Sequence, residues 1–183
     1  MKFKVTPQSI PDVLLIEPTV FSDDRGYFME SYNLQNFEEF LPAVKFVQDN
    51  ESKSIKGVLR GLHFQQAPHS QAKLVRVVQG SIWDVAVDVR PESPTFKQFC
   101  FATITAENHA QLFIPRGFAH GFIVTSETAI VQYKTDNFYH PDSDAGIHPH
   151  DKGLNIPWPL PKEEHLLSSK DQLLPLFDKL IIS

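Results

Sequence analysis

Along most of the chain, short apolar runs alternate with polar residues and end at turn-forming residues. Residues 13–17, 27–32, 45–48, 57–65, 72–78, 81–89, 99–105, 110–114, 120–125 and 128–135 each carry the period of two, or the compact apolar run, of a β-strand. The breaks between them include Asp24-Arg25-Gly26, Gln79-Gly80, Arg90-Pro91-Glu92 and Glu107-Asn108, residue types that favour turns. Helical spacing is confined to 33–41, where Leu34, Phe37 and Leu41 share a face, and to a short stretch after Ser168-Ser169-Lys170-Asp171. There a serine can cap the helix, and Pro175 limits its length. Residues 140–161, rich in Pro, His, Asp and Gly, read as a long loop. Many closely spaced strands predict an all-β, antiparallel sandwich or barrel rather than βαβ units. With no repeat or linker, one domain is expected over 1–183.

The alternation also selects interior candidates. Lys73 shares its face with Val75 and Val77, and Tyr133 shares its face with Ala129 and Val131. A lysine or tyrosine pointing into a core is costly to bury without a partner or ligand. The alternative for Lys73 is an edge-strand side chain reaching water, and for Tyr133 a core phenol with its hydroxyl satisfied.

Composition narrows the function classes. Of 183 residues, 42% are hydrophobic and 21% charged, and the formal charge is −5. That is core-forming material with no basic surface for general nucleic-acid binding. No apolar run reaches the roughly 20 residues of a membrane helix. The N-terminal residues lack the apolar stretch of a secretory signal, so a cytoplasmic setting without membrane partners is expected. The single cysteine, Cys100, lies between Phe99 and Phe101 and reads as a buried thiol.

Among eight histidines, His63 and His120 stand out, each at the end of a glycine-containing strand. These two segments are similar to the paired signature segments of cupins, β-barrels of jelly-roll type. Where metal-binding cupins carry a second ligand, this chain has Gln65, and no matching Glu follows. Two histidines fall short of the three or more ligands a metal site needs, so no metal is expected. His148-Pro149-His150 offers no third ligand either. A histidine in a barrel without a metal suits acid–base chemistry, supported by a carboxylate; Asp84, Asp88 and Asp171 are the candidates, and spacing does not choose among them.

A closer resemblance rests on Phe21-Ser22-Asp23-Asp24-Arg25-Gly26-Tyr27-Phe28-Met29-Glu30, Phe46-Val47-Gln48-Asp49-Asn50, Val58-Leu59-Arg60-Gly61-Leu62-His63-Phe64-Gln65 and Lys73-Leu74-Val75-Arg76-Val77. It continues through Asp84-Val85-Ala86-Val87-Asp88-Val89-Arg90, Ser93-Pro94-Thr95-Phe96 and Ile114-Pro115-Arg116-Gly117-Phe118-Ala119-His120-Gly121-Phe122. Together these resemble the dTDP-4-dehydrorhamnose 3,5-epimerases over nearly the whole chain. The resemblance implies an antiparallel cupin-like jelly roll with short helices mainly near the C-terminus, usually a homodimer. It implies no cofactor, and as substrate dTDP-4-dehydro-6-deoxy-D-glucose, inverted at C3 and C5. Both carbons flank the C4 ketone, so either proton can leave to give an enolate. Relatives that invert one position share the same residues, and a metal-dependent cupin or a non-catalytic sugar-binding jelly roll are the readings from other classes.

By the same resemblance His63 is the base and Asp171 its partner. Lys73 faces the C4 oxygen and Tyr133 donates the proton from the other side. Arg25 and Arg60 contact the diphosphate and sugar; Glu30, Gln48, Asp49 and Asn50 serve the nucleotide side; Tyr139 stacks on the thymine. His120 is a substrate-pocket histidine, for which Asp84 is a candidate partner. Asp144 stands where the family often has Glu, and with Lys170 it completes the substrate-binding set.

Overall fold

The structure, a computed structural model, describes residues 2–180. In chain order its strands are β1 (Phe3–Pro7), β2 (Leu14–Pro18), β3 (Val20–Asp23), β4 (Gly26–Met29), β5 (Gln48–Ile55), β6 (Leu59–Gln65) and β7 (Lys73–Gln79). They continue as β8 (Ser81–Asp88), β9 (Phe99–Thr105), β10 (Gln111–Ile114), β11 (Phe118–Val124), β12 (Thr128–Thr135) and β13 (Asp144–Gly146). Helix α1 (Leu34–Glu38) lies between β4 and β5, and α2 (Ser169–Gln172) near the C-terminus. A six-stranded sheet, β1-β2-β10-β7-β12-β5, faces a five-stranded sheet, β13-β6-β11-β8-β9, while β3 and β4 form a separate hairpin. Neighbours such as β7 with β12 and β6 with β11 are distant in sequence, the crossover pattern of a jelly roll.

Inward-facing Val75, Val77, Leu112, Ala129 and Val131 of the first sheet meet Ile82, Ala86, Cys100, Phe118 and Phe122 of the second. The other face of the five-stranded sheet is covered too: Trp83, Val85 and Val87 pack under Leu154, Ile156 and Phe177 of the C-terminal segment. Hence β8 is buried from Ile82 to Asp88 and reads as a continuous run rather than an alternation. Burial pushes the Cys100 thiol up to about 11, as suits an unreactive core residue.

Three expectations need correction. The strand expected at 45–48 starts at Gln48 and runs to Ile55; its inward residues Gln48, Asn50, Ser52 and Ser54 are polar, so it carries no apolar signal. The strand expected at 27–32 ends at Met29, because Tyr32 turns into an aromatic cluster with Phe37 and Phe46. The loop expected at 140–161 contains β13, which pairs with the edge of β6. The short β1 and β3 were also unsignalled. Both helix starts are as anticipated: Asn33 caps α1, and the Ser168 hydroxyl accepts from the Asp171 amide at α2.

Candidate active site

The site is built where β6 and β11 run closest. His63 pairs with His120 in register, and the ladder shifts just beyond. Gly61 has φ +112°, and a Cβ there would lie 2.6 Å from the His120 carbonyl oxygen and 2.7 Å from Gly121 Cα. Only a residue without a side chain allows that approach, so the glycine two residues before His63 is required by the backbone.

Each histidine has its own aspartate. His63 Nε2 lies 2.6 Å from Asp171 Oδ1, with the imidazole 33% exposed and the carboxylate 5%. An ionised carboxylate only accepts, so Nε2 carries the proton and Nδ1 keeps the basic lone pair. Burial pushes the Asp171 carboxyl up, but hydrogen bonding and charge from His63, the Ser168 hydroxyl and the Gly61 amide outweigh it, and the net direction is down. His120 Nε2 lies 2.6 Å from Asp84 Oδ1 in full burial. Burial holds the His120 imidazole below its ordinary range, with Asp84 opposing. The third candidate, Asp88, is taken by Arg90 at 2.7 Å and by Ser93 and Thr95. Spacing left these three carboxylates open; the structure distributes them.

The facing sheet supplies the other groups. Lys73 is buried, on a strand flanked by β10 and β12, which removes the edge-strand alternative. Its ammonium donates to the His63 carbonyl at 3.3 Å. Burial pulls it down to about 8, with Asp84 and Asp144 opposing. Tyr133 follows on β12, opposite Val75 of β7 and Asn50 of β5. Burial raises its phenol, against the nearby Arg60 cation, so the hydroxyl stays protonated at neutral pH.

His63, Lys73 and Tyr133 line one cavity of about 240 Å³ together with Gln48, Asn50, Tyr139, Asp144 and Lys170. Asp144 accepts from the Tyr139 hydroxyl at 3.2 Å and from the Lys170 ammonium, tying β13, α2 and the Tyr139 loop together. Arg60 lies beside Tyr133's strand and donates to Ser54 Oγ at 3.0 Å. Other residues named from the sequence are elsewhere. Asp49 is on the opposite face of β5 from Gln48 and Asn50, paired with Lys134 at 2.7 Å. Glu30 pairs with Lys2 at 3.2 Å and Asn36 at 2.6 Å. Arg25 is on the exposed β3–β4 hairpin, held by Asp23. His120 sits buried behind His63 rather than in the cavity lining.

Gln65 is the residue that sequence reasoning passed over. Its amide donates to the carbonyls of His69 at 2.7 Å and Phe138 at 3.2 Å, and its oxygen accepts from the His140 amide at 2.6 Å. The position where a cupin metal ligand was sought instead braces the loop carrying Tyr139. The signal available was a glutamine at the end of its strand, directly after Phe64. Among the described residues no group of three or more His, Cys, Asp or Glu side chains is arranged to hold a metal ion.

These features define a jelly-roll protein whose cavity is equipped for proton transfer beside a carbonyl, with a carboxylate-backed imidazole on one sheet and a phenol and an ammonium on the other. The family model described as dTDP-4-dehydrorhamnose 3,5-epimerase matches residues 7–179. The chain belongs to that family. The dTDP-4-dehydrorhamnose 3,5-epimerase of Salmonella typhimurium is 51% identical over 180 residues, 98% of each chain. The solved dTDP-6-deoxy-D-glucose-3,5-epimerase of Legionella pneumophila, in complex with dTDP-4-keto-L-rhamnose, is 44% identical with a TM-score of 0.94, covering 98% of this chain and 95% of its own. A 3′-monoepimerase from Streptomyces bikiniensis, in complex with dTDP-quinovose, is 32% identical with a TM-score of 0.88 over 94% and 87%.

Proposed function

We propose that this protein inverts C3 and C5 of dTDP-4-dehydro-6-deoxy-D-glucose, giving dTDP-4-dehydro-L-rhamnose for dTDP-L-rhamnose synthesis. The observation that carries the reading is the His63–Asp171 pair on β6 lining one cavity with Lys73 and Tyr133 of the facing sheet. His63 Nδ1 removes the proton next to the C4 ketone, and the electron pair moves onto the C4 oxygen. The Lys73 ammonium favours that enolate over the neutral ketone. Tyr133 then returns a proton to the same carbon from the other side, which completes the inversion. The phenolate recovers its proton through solvent while the imidazolium loses one, so each inversion exchanges a carbon-bound hydrogen with water. Gln48, Asn50, Tyr139, Asp144 and Lys170 receive the nucleotide side. Arg60, whose cation acts on the Tyr133 phenol, is assigned to the diphosphate in this reading, since its planar fork suits phosphate oxygens.

Arg25, Glu30 and Asp49 join this site only in an assembly. The hairpin that carries Arg25 exposes Phe21 at 62%, Tyr27 at 59% and Phe28 at 70%. An aromatic patch of that kind on a two-stranded arm favours a homodimer in which the arm packs on a second copy. Light scattering of a Phe21→Ser, Phe28→Ser variant reports on it: the doubled mass falls to that of one chain, and a variant that stays dimeric refutes the arm's role.

Turnover in heavy water tests the reaction. Deuterium enters at C3 and at C5 of the product. Entry at one carbon alone assigns the chain to the single-position epimerases, and no entry at either overturns the reading.

A further inference from the structure

Asp84 lies at the centre of β8, fully buried, with its side chain inside the barrel. One oxygen accepts from His120 Nε2 at 2.6 Å. The other, Oδ2, is buried without a hydrogen-bond partner among the described residues. A carboxylate half unsatisfied in an apolar interior is unfavourable unless a cation shares the space. The buried cation on the facing sheet is Lys73, on β7 with the buried Val75 and Val77, and its ammonium bonds the carbonyl of His63, the residue paired across the ladder with the His120 that Asp84 holds. Its described hydrogen bond, at 3.3 Å to the His63 carbonyl, leaves N–H donors free for a ligand oxygen. A direct Asp84–Lys73 bond would consume one of them.

We propose that Asp84 is a positioning residue that acts through Lys73 and His120: from inside the barrel its carboxylate keeps the lysine in its ammonium form and fixes the His120 ring behind the base. The proposal rests on the epimerase reading for its catalytic meaning, though not for the charge state of Lys73. The groups facing that ammonium are His63 from β6, Asp84 from β8, His120 from β11, Tyr133 from β12, Asp144 from β13 and Lys170 from α2. Of these, Asp84 and Asp144 are the anions, and Asp144 is already engaged by Tyr139 and Lys170. Burial brings Lys73 to about 8 even with both carboxylates present. Loss of Asp84 therefore moves its titration toward or below neutrality, as for lysines buried without a partner.

The test is Asp84→Asn, which keeps the shape and removes the charge. Lysines labelled with ¹³C at Cε are titrated by NMR, with the Lys73 signal assigned by its loss in Lys73→Arg. The midpoint is expected near 8 in the parent protein and about one pH unit or more lower in the variant. In parallel, the high-pH limb of deuterium incorporation moves down by the same interval, so the variant loses more activity at pH 8 than at pH 6.5. An unmoved midpoint, or an activity loss equal at every pH, overturns the proposal. If the variant does not fold, the parent's midpoint decides: a value below neutrality shows that Asp84 does not keep the amine charged. A parent without epimerase activity overturns the functional reading while leaving the titration result intact.

Discussion

Replacing Asp171 by Asn isolates one hydrogen bond of the site. The carboxylate lies 2.6 Å from His63 Nε2, with its own amide tied to Ser168 Oγ at 3.0 Å; asparagine keeps both the size and the helix cap. What changes is the charge that stabilises the imidazolium formed when His63 takes a carbon-bound proton. A hydrogen bond to a charged group contributes about 1.5–3 kcal/mol, and each 1.4 kcal/mol is a factor of about ten in rate. The expected loss in kcat is therefore roughly 10- to 100-fold. Asp171 stands behind His63 and does not line the cavity, so KM should change little, as for an interaction expressed mainly in the transition state. Initial rates with the dTDP-4-keto sugar, with deuterium entry followed by NMR, separate the two parameters. A variant within about twofold of the parent in kcat, or one whose defect lies wholly in KM, refutes the claim that the aspartate acts on the charged imidazole.

Tyr133→Phe removes only the hydroxyl of the proposed proton donor from the cavity wall; turnover is expected to fall by about 10²-fold or more, and unchanged turnover in the same assay removes the donor assignment. Asp88→Asn tests a structural carboxylate. Burial alone would raise Asp88, but hydrogen bonds from Arg90, Ser93 and Thr95 bring it to about 2. A carboxylate depressed on folding adds stability that is complete above its unfolded value and is lost as pH falls through the folded one. The contribution is about 2–3 kcal/mol at neutral pH, fading between roughly pH 4 and pH 2. Urea unfolding should show the variant weaker by that order at pH 7, with the gap closing at low pH; equal stability at pH 7 contradicts it.

How much of this was legible in the sequence follows from what each residue faces. Strands with one face in the barrel and one in water, such as β9 with its buried Cys100, Ala102 and Ile104, announce themselves by alternation. β5 does not, because Gln48 and Asn50 turn toward a polar cavity rather than a core. The alternation that put Lys73 and Tyr133 on inward faces was correct, but by itself it left an edge lysine and a core phenol as open readings. Local pattern did not give the partners of the histidines, because His63 and Asp171 are 108 residues apart; the family resemblance named Asp171 for His63, with Asp84 a candidate for His120, and both pairs stand at 2.6 Å. The same limit applies to Arg25, whose motif was plain but whose hairpin stands apart from the cavity.

His63 is rooted in one wall of the sandwich and Tyr133 in the other. The gap between the proposed acid and base therefore depends on how thickly Val75, Val131 and their counterparts fill the interior. A substitution that swells or thins that filling should alter which ring carbon sits between them. Changes confined to a single wall can impair proton removal or proton return separately. Divergence between double and single inversion in such a scaffold has a natural place to begin: the packing beneath the sugar, well away from the reacting side chains.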